Sequence, residues 1–129
     1  MKILILDPDW RFAQEARDYL ESHAHMVVHQ TSDQYAQDKL ESWKPDLVMV
    51  SAELCENSDL SEKINNTDSA VLLTGWMDKY DMVWRMWQKT GHELFMKPVF
   101  DMDELYQSMV VALENAASGE ERIRHAASA

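Results

Sequence analysis

Five polar side chains closely follow short apolar runs of the sequence, and their chemical types are those of an ion-binding site. They comprise two carboxylates, two hydroxyls and one amine, at Asp7, Asp9, Ser51, Thr74 and Lys97. Carboxylate oxygens bind a hard cation such as Mg²⁺, and hydroxyl and amine groups bind an anion such as phosphate. A lysine beside a carboxylate also forms an ion pair without any ligand. The residue types alone leave these three kinds of chemistry open.

The elements that would position these residues alternate between apolar strands and amphipathic helices. Continuous apolar runs are typical of strands buried on both faces, and such runs occupy residues 3–6, 47–50, 70–73 and 94–96. A further strand is predicted over residues 25–31. The pattern predicts an α/β fold, a doubly wound five-stranded parallel sheet with helices on both faces. Right-handed crossovers bring the carboxyl ends of all strands to one edge, where such folds bind ligands.

Length and charge limit the classes of function. The chain has 129 residues and a net charge of −11, which predicts one acidic domain at 1–117 and a polar tail at 118–129. Its acidity disfavours nucleic acid as a partner, and three glycines leave no glycine-rich phosphate loop. The apolar runs are too short to span a membrane, and the first residues do not match a secretory signal. We therefore expect a cytoplasmic protein without membrane contact, in which Cys55 is a free thiol.

Taken in order, these motifs resemble the receiver domain of two-component response regulators over about residues 2–117. The resemblance is carried by Ile-Leu-Ile-Leu-Asp, Pro-Asp-Leu-Val-Met-Val-Ser, Val-Leu-Leu-Thr-Gly and Met-Lys-Pro, at residues 3–7, 45–51, 71–75 and 96–98. It implies the receiver (flavodoxin-like) topology. In that family an acidic pair after the first strand holds Mg²⁺, and an aspartate after the third strand takes a phosphoryl group from phospho-histidine. A hydroxyl and a lysine after the last two strands then bind that phosphoryl group.

The resemblance assigns family roles to some of these positions and departs from the family at the most important one. It implies that Asp7 belongs to the acidic pair, Thr74 is the switch hydroxyl and Lys97 is the phosphate-binding lysine. Ser51, however, falls on the phosphoacceptor position. A carboxylate attacks phospho-histidine in its ionised form, whereas a serine hydroxyl is weak until a base takes its proton, and the motif places no histidine to do so.

Other departures accompany this one. Pro8 stands where the family has the second member of the acidic pair, which leaves Asp9 as the only substitute, and Leu94 stands at the position of the aromatic switch. Together they predict a pseudo-receiver: a non-enzymatic, phosphorylation-independent interaction module of a phosphorelay pathway, with no cofactor. In this interpretation Lys97 forms a structural ion pair with Asp7 or Asp9.

Two alternatives keep phosphate in the mechanism. In the first, the chain is a working phosphoacceptor in which Glu53, two residues beyond Ser51, accepts the phosphoryl group, with Mg²⁺ held by Asp7 and Asp9. In the second, a serine kinase modifies Ser51. The first alternative requires Mg²⁺ as a cofactor, whereas the pseudo-receiver does not.

The predicted helix over residues 79–90 carries more large apolar side chains than one buried stripe accommodates. Methionine and aromatic residues are favoured at protein interfaces, and the resemblance implies that the face formed by the fourth helix, fifth strand and fifth helix is a docking surface. We therefore expect a protein partner or a second copy to bind through Met82, Trp84, Met86, Trp87 and Tyr106. Filling of the shortened loop region by the tryptophans is the alternative.

Overall fold

The computed structural model describes residues 1–119, in which strands and α-helices alternate along the chain. The strands are β1 (Lys2–Leu6), β2 (Met26–Gln30), β3 (Leu47–Ser51), β4 (Ala70–Trp76) and β5 (Glu93–Lys97). The helices are α1 (Trp10–Ser22), α2 (Asp33–Trp43), α3 (Ser58–Asn66), α4 (Tyr80–Trp87) and α5 (Met102–Ser118). Short 3-10 helices, Leu54–Glu56 and Met77–Lys79, precede α3 and α4. Residues 120–129 of the predicted tail lie outside the described residues.

The strands form one parallel sheet in the order β2-β1-β3-β4-β5. This arrangement confirms the predicted doubly wound α/β fold. The register pairs Ser51 with Thr74 and Trp76 with Lys97, so the polar strand ends share one edge. No helix in the described part of the chain has the length and apolar character that crossing a bilayer demands.

The apolar strands supply two cores, one on each face of the sheet. Because successive side chains of a strand point to opposite faces, Ile3 and Ile5 pack with α1 and α5, whereas Leu4 and Leu6 pack with α2, α3 and α4. All four side chains are fully buried. Burial of each stabilises the fold by about 1.5–3 kcal/mol, which explains why the strands read as continuous apolar runs.

Helix α4 begins and ends inside the predicted 79–90 segment and packs unusually close to the sheet. It extends over Tyr80–Trp87, and the chain turns at Gly91, whose φ of 98° suits a residue without a side chain. A Cβ atom added at Gly75 of β4 would lie 2.7 Å from Cγ1 of Val83. The absence of a side chain at Gly75 therefore allows Val83 of α4 to pack directly against β4.

Substitution of Gly75 tests this packing. Gly75→Ala is expected to lower the free energy of unfolding by about 1–3 kcal/mol, because the added methyl group overlaps Val83. Urea-induced unfolding followed by tryptophan fluorescence measures the change. The Gly75→Ala/Val83→Ala double variant should lose less than the sum of the two single variants, since the smaller residue removes the overlap. Additive losses would contradict close packing of Val83 on Gly75.

Candidate functional site at the carboxyl edge of the sheet

A buried ion pair lies at the centre of the carboxyl edge. The Nζ atom of Lys97 donates a hydrogen bond to Oδ2 of Asp7 at 2.8 Å, and the two side chains are 0% and 1% exposed. The same ammonium group lies 4.5 Å from the ring centroid of Phe12 and 4.8 Å from that of Trp76. The carboxylate and the two aromatic rings thus enclose the lysine charge in a site without solvent contact.

The remaining polar atoms of Asp7 are also engaged. Its Oδ1 accepts a hydrogen bond from the backbone N–H of Asp9 at 2.8 Å, and its carbonyl oxygen lies 2.8 Å from Nε2 of His29. Burial raises the pKa of Asp7, and the charge and hydrogen bond of Lys97 oppose that increase only in part. Both carboxylate oxygens of Asp7 are therefore committed to groups of the protein.

Asp9 serves the first turn of α1. Its Oδ1 accepts hydrogen bonds from the backbone N–H groups of Arg11 at 3.1 Å and Phe12 at 3.2 Å. These bonds satisfy donors that the start of a helix otherwise leaves without partners. Of the two acids predicted as partners for Lys97, the structure pairs Asp7 with the lysine and uses Asp9 as a helix cap.

The two hydroxyls of the site belong to paired residues, Ser51 at the end of β3 and Thr74 two residues before the end of β4, and both bond to backbone groups. Ser51 is 2% exposed, and its Oγ accepts a hydrogen bond from the N–H of Glu53 at 3.3 Å. Thr74 is fully buried and donates from Oγ1 to the carbonyl oxygen of Val50 at 3.4 Å. Backbone pairing continues past Ser51, because the N–H of Ala52 donates to the carbonyl oxygen of Thr74 at 2.8 Å.

Glu53 faces α4 rather than the buried pair. Its carboxylate accepts a hydrogen bond from Nζ of Lys79 at 3.0 Å, and the two side chains are one-third and one-half exposed. The hydrogen bond and charge of Glu53 raise the pKa of Lys79. The adjacent Cys55 is buried, and burial raises the pKa of its thiol to about 12, so it stays protonated.

These side chains do not fit the Mg²⁺ site that the resemblance implies. Magnesium prefers oxygen ligands in octahedral geometry, and proteins usually hold it through one or two free carboxylates together with several waters. Here Asp7 is neutralised by Lys97, Asp9 caps α1, and Ser51 contributes a neutral hydroxyl. Within residues 1–119 no group of three or more His, Cys, Asp or Glu side chains is placed to hold a metal ion.

The structure corrects part of the predicted interaction surface on α4. Met86 and Trp87 are each only 8% exposed and belong to the core between α4 and the sheet, so they are not surface residues. Met82 is partly buried against the same core. Trp84 alone among these four is largely exposed, at 48%. Val83, which lies over Gly75, marks the buried side of this helix, and Met86 and Trp87 join it there.

Tyr106 does not join that surface either. Its hydroxyl lies 3.1 Å from Nε2 of His25, and its ring lies 6.1 Å from the ring of Tyr19 on α1. The residue therefore packs toward α1 and the start of β2. The exposed neighbour of Trp84 is instead Tyr80, and Met77 of the preceding 3-10 helix is exposed as well; neither was among the expected surface residues. The four-residue spacing of Tyr80 and Trp84 on one helix was the available signal.

Comparison with known proteins identifies the fold. No protein-family model and no curated protein matches the chain. A two-component response regulator from Clostridium difficile is 20% identical with a TM-score of 0.72, over 88% of this chain and 96% of that one. A response regulator receiver protein from Burkholderia phymatum is 16% identical with a TM-score of 0.72, and the match covers 86% of this chain and 94% of that one. NtrX from Brucella abortus, solved with ADP, is 18% identical with a TM-score of 0.79, over 95% of this chain but 28% of its own.

The chain therefore has the receiver-domain fold of two-component response regulators. At these identities the likeness concerns the fold alone. The chemistry of the site has to be argued from the side chains that occupy it.

A double-mutant cycle measures how tightly Asp7 and Lys97 are coupled. Asp7→Asn is expected to cost about 3–5 kcal/mol, because it leaves a buried ammonium group without its anion. Lys97→Met should also destabilise the fold at neutral pH, and the double variant should lose less than the sum of both. Urea-induced unfolding provides the free energies, and Arg17→Met, which breaks an exposed ion pair with Glu21, should cost less than about 1 kcal/mol.

The pH dependence of the stability of Lys97→Met is a second test of the buried pair. Without the ammonium group, the pKa of folded Asp7 should rise further above its unfolded value, so folding takes up a proton. Stability should then be recovered as pH falls through that raised pKa and be lost as pH rises. A variant whose stability relative to wild type is the same at acidic and neutral pH would argue against a buried, unpaired Asp7.

Proposed function

We propose that this chain is a receiver-like interaction module of two-component signalling that works without phosphorylation, enzymatic activity or a resident cofactor. The observation that carries the proposal is the sealed Asp7–Lys97 pair beside a serine at the end of β3. The resemblance implies that this lysine grips a phosphoryl group in the family. Here its charge is already neutralised by Asp7 and covered by two aromatic rings.

The surroundings of Ser51 argue against nucleophilic catalysis at the phosphoacceptor position. A serine hydroxyl needs a nearby base that accepts its proton. The group that bonds to its Oγ is the backbone N–H of Glu53, which is a donor and cannot act as a base. Burial of Ser51 also removes it from the reach of a serine kinase in the folded domain. These features support a module that does not carry phosphate at this residue.

The alternative phosphoacceptor, Glu53, is directed elsewhere. To reach the buried lysine it would have to give up its ion pair with Lys79 and turn inward from a partly exposed position. The Mg²⁺ that aspartyl or glutamyl phosphorylation requires in this family would need carboxylates that now bond to Lys97 and to the backbone of α1. Phosphotransfer therefore has less support than protein binding.

Intact-mass spectrometry after incubation with acetyl phosphate and Mg²⁺ tests this proposal. The wild-type protein is expected to gain no phosphoryl group, because it lacks an activated nucleophile next to a free cation. A phosphoryl adduct on the wild type would overturn the proposal, and its absence from Glu53→Gln would then identify Glu53 as the acceptor.

The Ser51→Asp variant is the matched control for that experiment. It restores a carboxylate at the family's phosphoacceptor position and changes nothing else. Phosphorylation of the variant beside an unmodified wild type would assign the loss of phosphotransfer to residue 51. Absence of an adduct from both proteins would extend the loss to the acids and lysine around it.

Magnesium binding gives a separate prediction. Millimolar Mg²⁺ should leave the melting temperature and the tryptophan fluorescence of the wild type unchanged, because Asp7 and Asp9 are both committed to protein groups. Binding of a ligand to the folded state alone would raise the melting temperature. A saturable increase that is abolished by Asp9→Asn would show that the acids do form a cation site and would favour the phosphoacceptor alternative.

A further inference from the structure

We propose that the amino-terminal half of α4 docks an arginine-bearing, apolar segment of a protein partner. The surface consists of three exposed apolar residues, Tyr80 and Trp84 of α4 and Met77 of the 3-10 helix before it, called the α4 patch below. This inference rests on the proposed function in one respect, since it names the chemistry of the partner that an interaction module would bind. Its geometry does not depend on whether the chain is phosphorylated.

The α4 patch combines exposure with ordered aromatic rings. Met77, Tyr80 and Trp84 are 57%, 53% and 48% exposed. The rings of Tyr80 and Trp84 lie one helical turn apart, with centroids 6.2 Å apart and planes within 14° of parallel. Aromatic faces attract guanidinium and ammonium groups, and tryptophan and tyrosine bind them best. An ordered pair on one helix face is therefore a suitable platform for an arginine side chain.

A recess lined by more acids than bases lies beside Tyr80. The recess has a volume of about 570 Å³ and lies between the 3-10 helix after β3 and the start of α4. Four acids line it, against two bases: Glu53, Glu56, Asp78 and Asp81, against Lys79 and Arg85. Lys79 is bonded to Glu53, and the charges of Asp78 and Glu56 also act on it. The recess retains an excess of negative charge that a basic side chain would offset.

Charge complementarity selects the occupant. The chain carries a net charge of −11, so a second copy docked through the same surface would bring two sets of carboxylates together, which is unfavourable. Nucleic acids and anionic lipids meet the same repulsion. A partner segment that alternates arginine with apolar residues satisfies both features, because its guanidinium groups meet the rings and acids while its apolar side chains cover Met77. Arginine suits a stacked aromatic site better than lysine.

Fluorine NMR of the full chain labelled with fluorotryptophan tests the proposal. The probe is a synthetic peptide of alternating arginine and leucine, with a glutamate-leucine peptide of equal length as its matched control. Trp84 reports on the α4 patch, and Trp10, which is 66% exposed on α1, is the internal control. Trp84→Phe and Trp10→Phe assign the two resonances. We expect a saturable shift of the Trp84 resonance with the arginine peptide and no comparable shift of Trp10.

Surface variants extend the test to the proposed contacts. Tyr80→Ala should weaken binding of the arginine peptide about two- to fivefold, the effect of losing one exposed cation–π contact. Asp78→Asn/Asp81→Asn should weaken it further and reduce its dependence on salt, whereas Trp10→Phe should leave the affinity unchanged. Melting temperatures check that each variant is folded. If a variant does not fold, the proposal is judged on the wild-type titration alone.

Three results would overturn the inference. They are equal shifts of Trp10 and Trp84, equal affinity for the glutamate peptide, and a Trp84 shift that follows protein concentration without peptide. The last would identify a second copy as the occupant. Failure here is distinguishable from failure of the proposed function, because a phosphoryl adduct on the wild type is detected by mass alone and leaves the peptide titration unaffected.

Discussion

Burial of a single ion pair is the constraint on which the site depends. An ammonium group withdrawn from water costs several kcal/mol unless an anion and hydrogen bonds compensate, and Lys97 is fully enclosed. Asp7 supplies the anion from the residue after β1, and two strands separate β1 from β5 in the sheet, so the pair connects the ends of β1 and β5 across β3 and β4. The positive charge of Lys97 therefore already has a negative partner within the protein.

The surface differs from the buried site in its charge. The buried pair has one positive and one negative group, whereas the surface carries an excess of acids. The chain has 23 acidic and 12 basic residues, and the acids are dense where the 3-10 helix after β3 meets α4. Long-range fields of this kind steer oppositely charged partners and repel identical ones. Under the proposed docking at the α4 patch, recognition would not require any change in the buried site.

The fold could be predicted from the sequence because its dominant signal is local. Buried parallel strands must be continuously apolar, and each run ends where a polar residue reaches the edge, as at Asp7 and Ser51. The sequence limited the ion-pair partner of Lys97 to Asp7 or Asp9 but did not decide between them. Asp9 was one of two candidates for pairing with Lys97, but its side chain accepts hydrogen bonds from the first backbone N–H groups of α1 instead. The exposed side of α4 could be predicted only in part: Trp84 is exposed as expected, whereas Met86 and Trp87 belong to the core.

Three consecutive residues of β4 connect the site to the surface. Thr74 donates to the backbone of β3, Gly75 lies under Val83 of α4, and the ring of Trp76 covers the ammonium group of Lys97. A shift of any one of them would disturb either the buried pair or the packing of α4. Under the proposed function this coupling holds α4 in one position, since Thr74 is already bonded and no phosphoryl group draws it away. The α4 patch is then presented constantly, and binding is governed by the supply of the partner rather than by a switch within the domain.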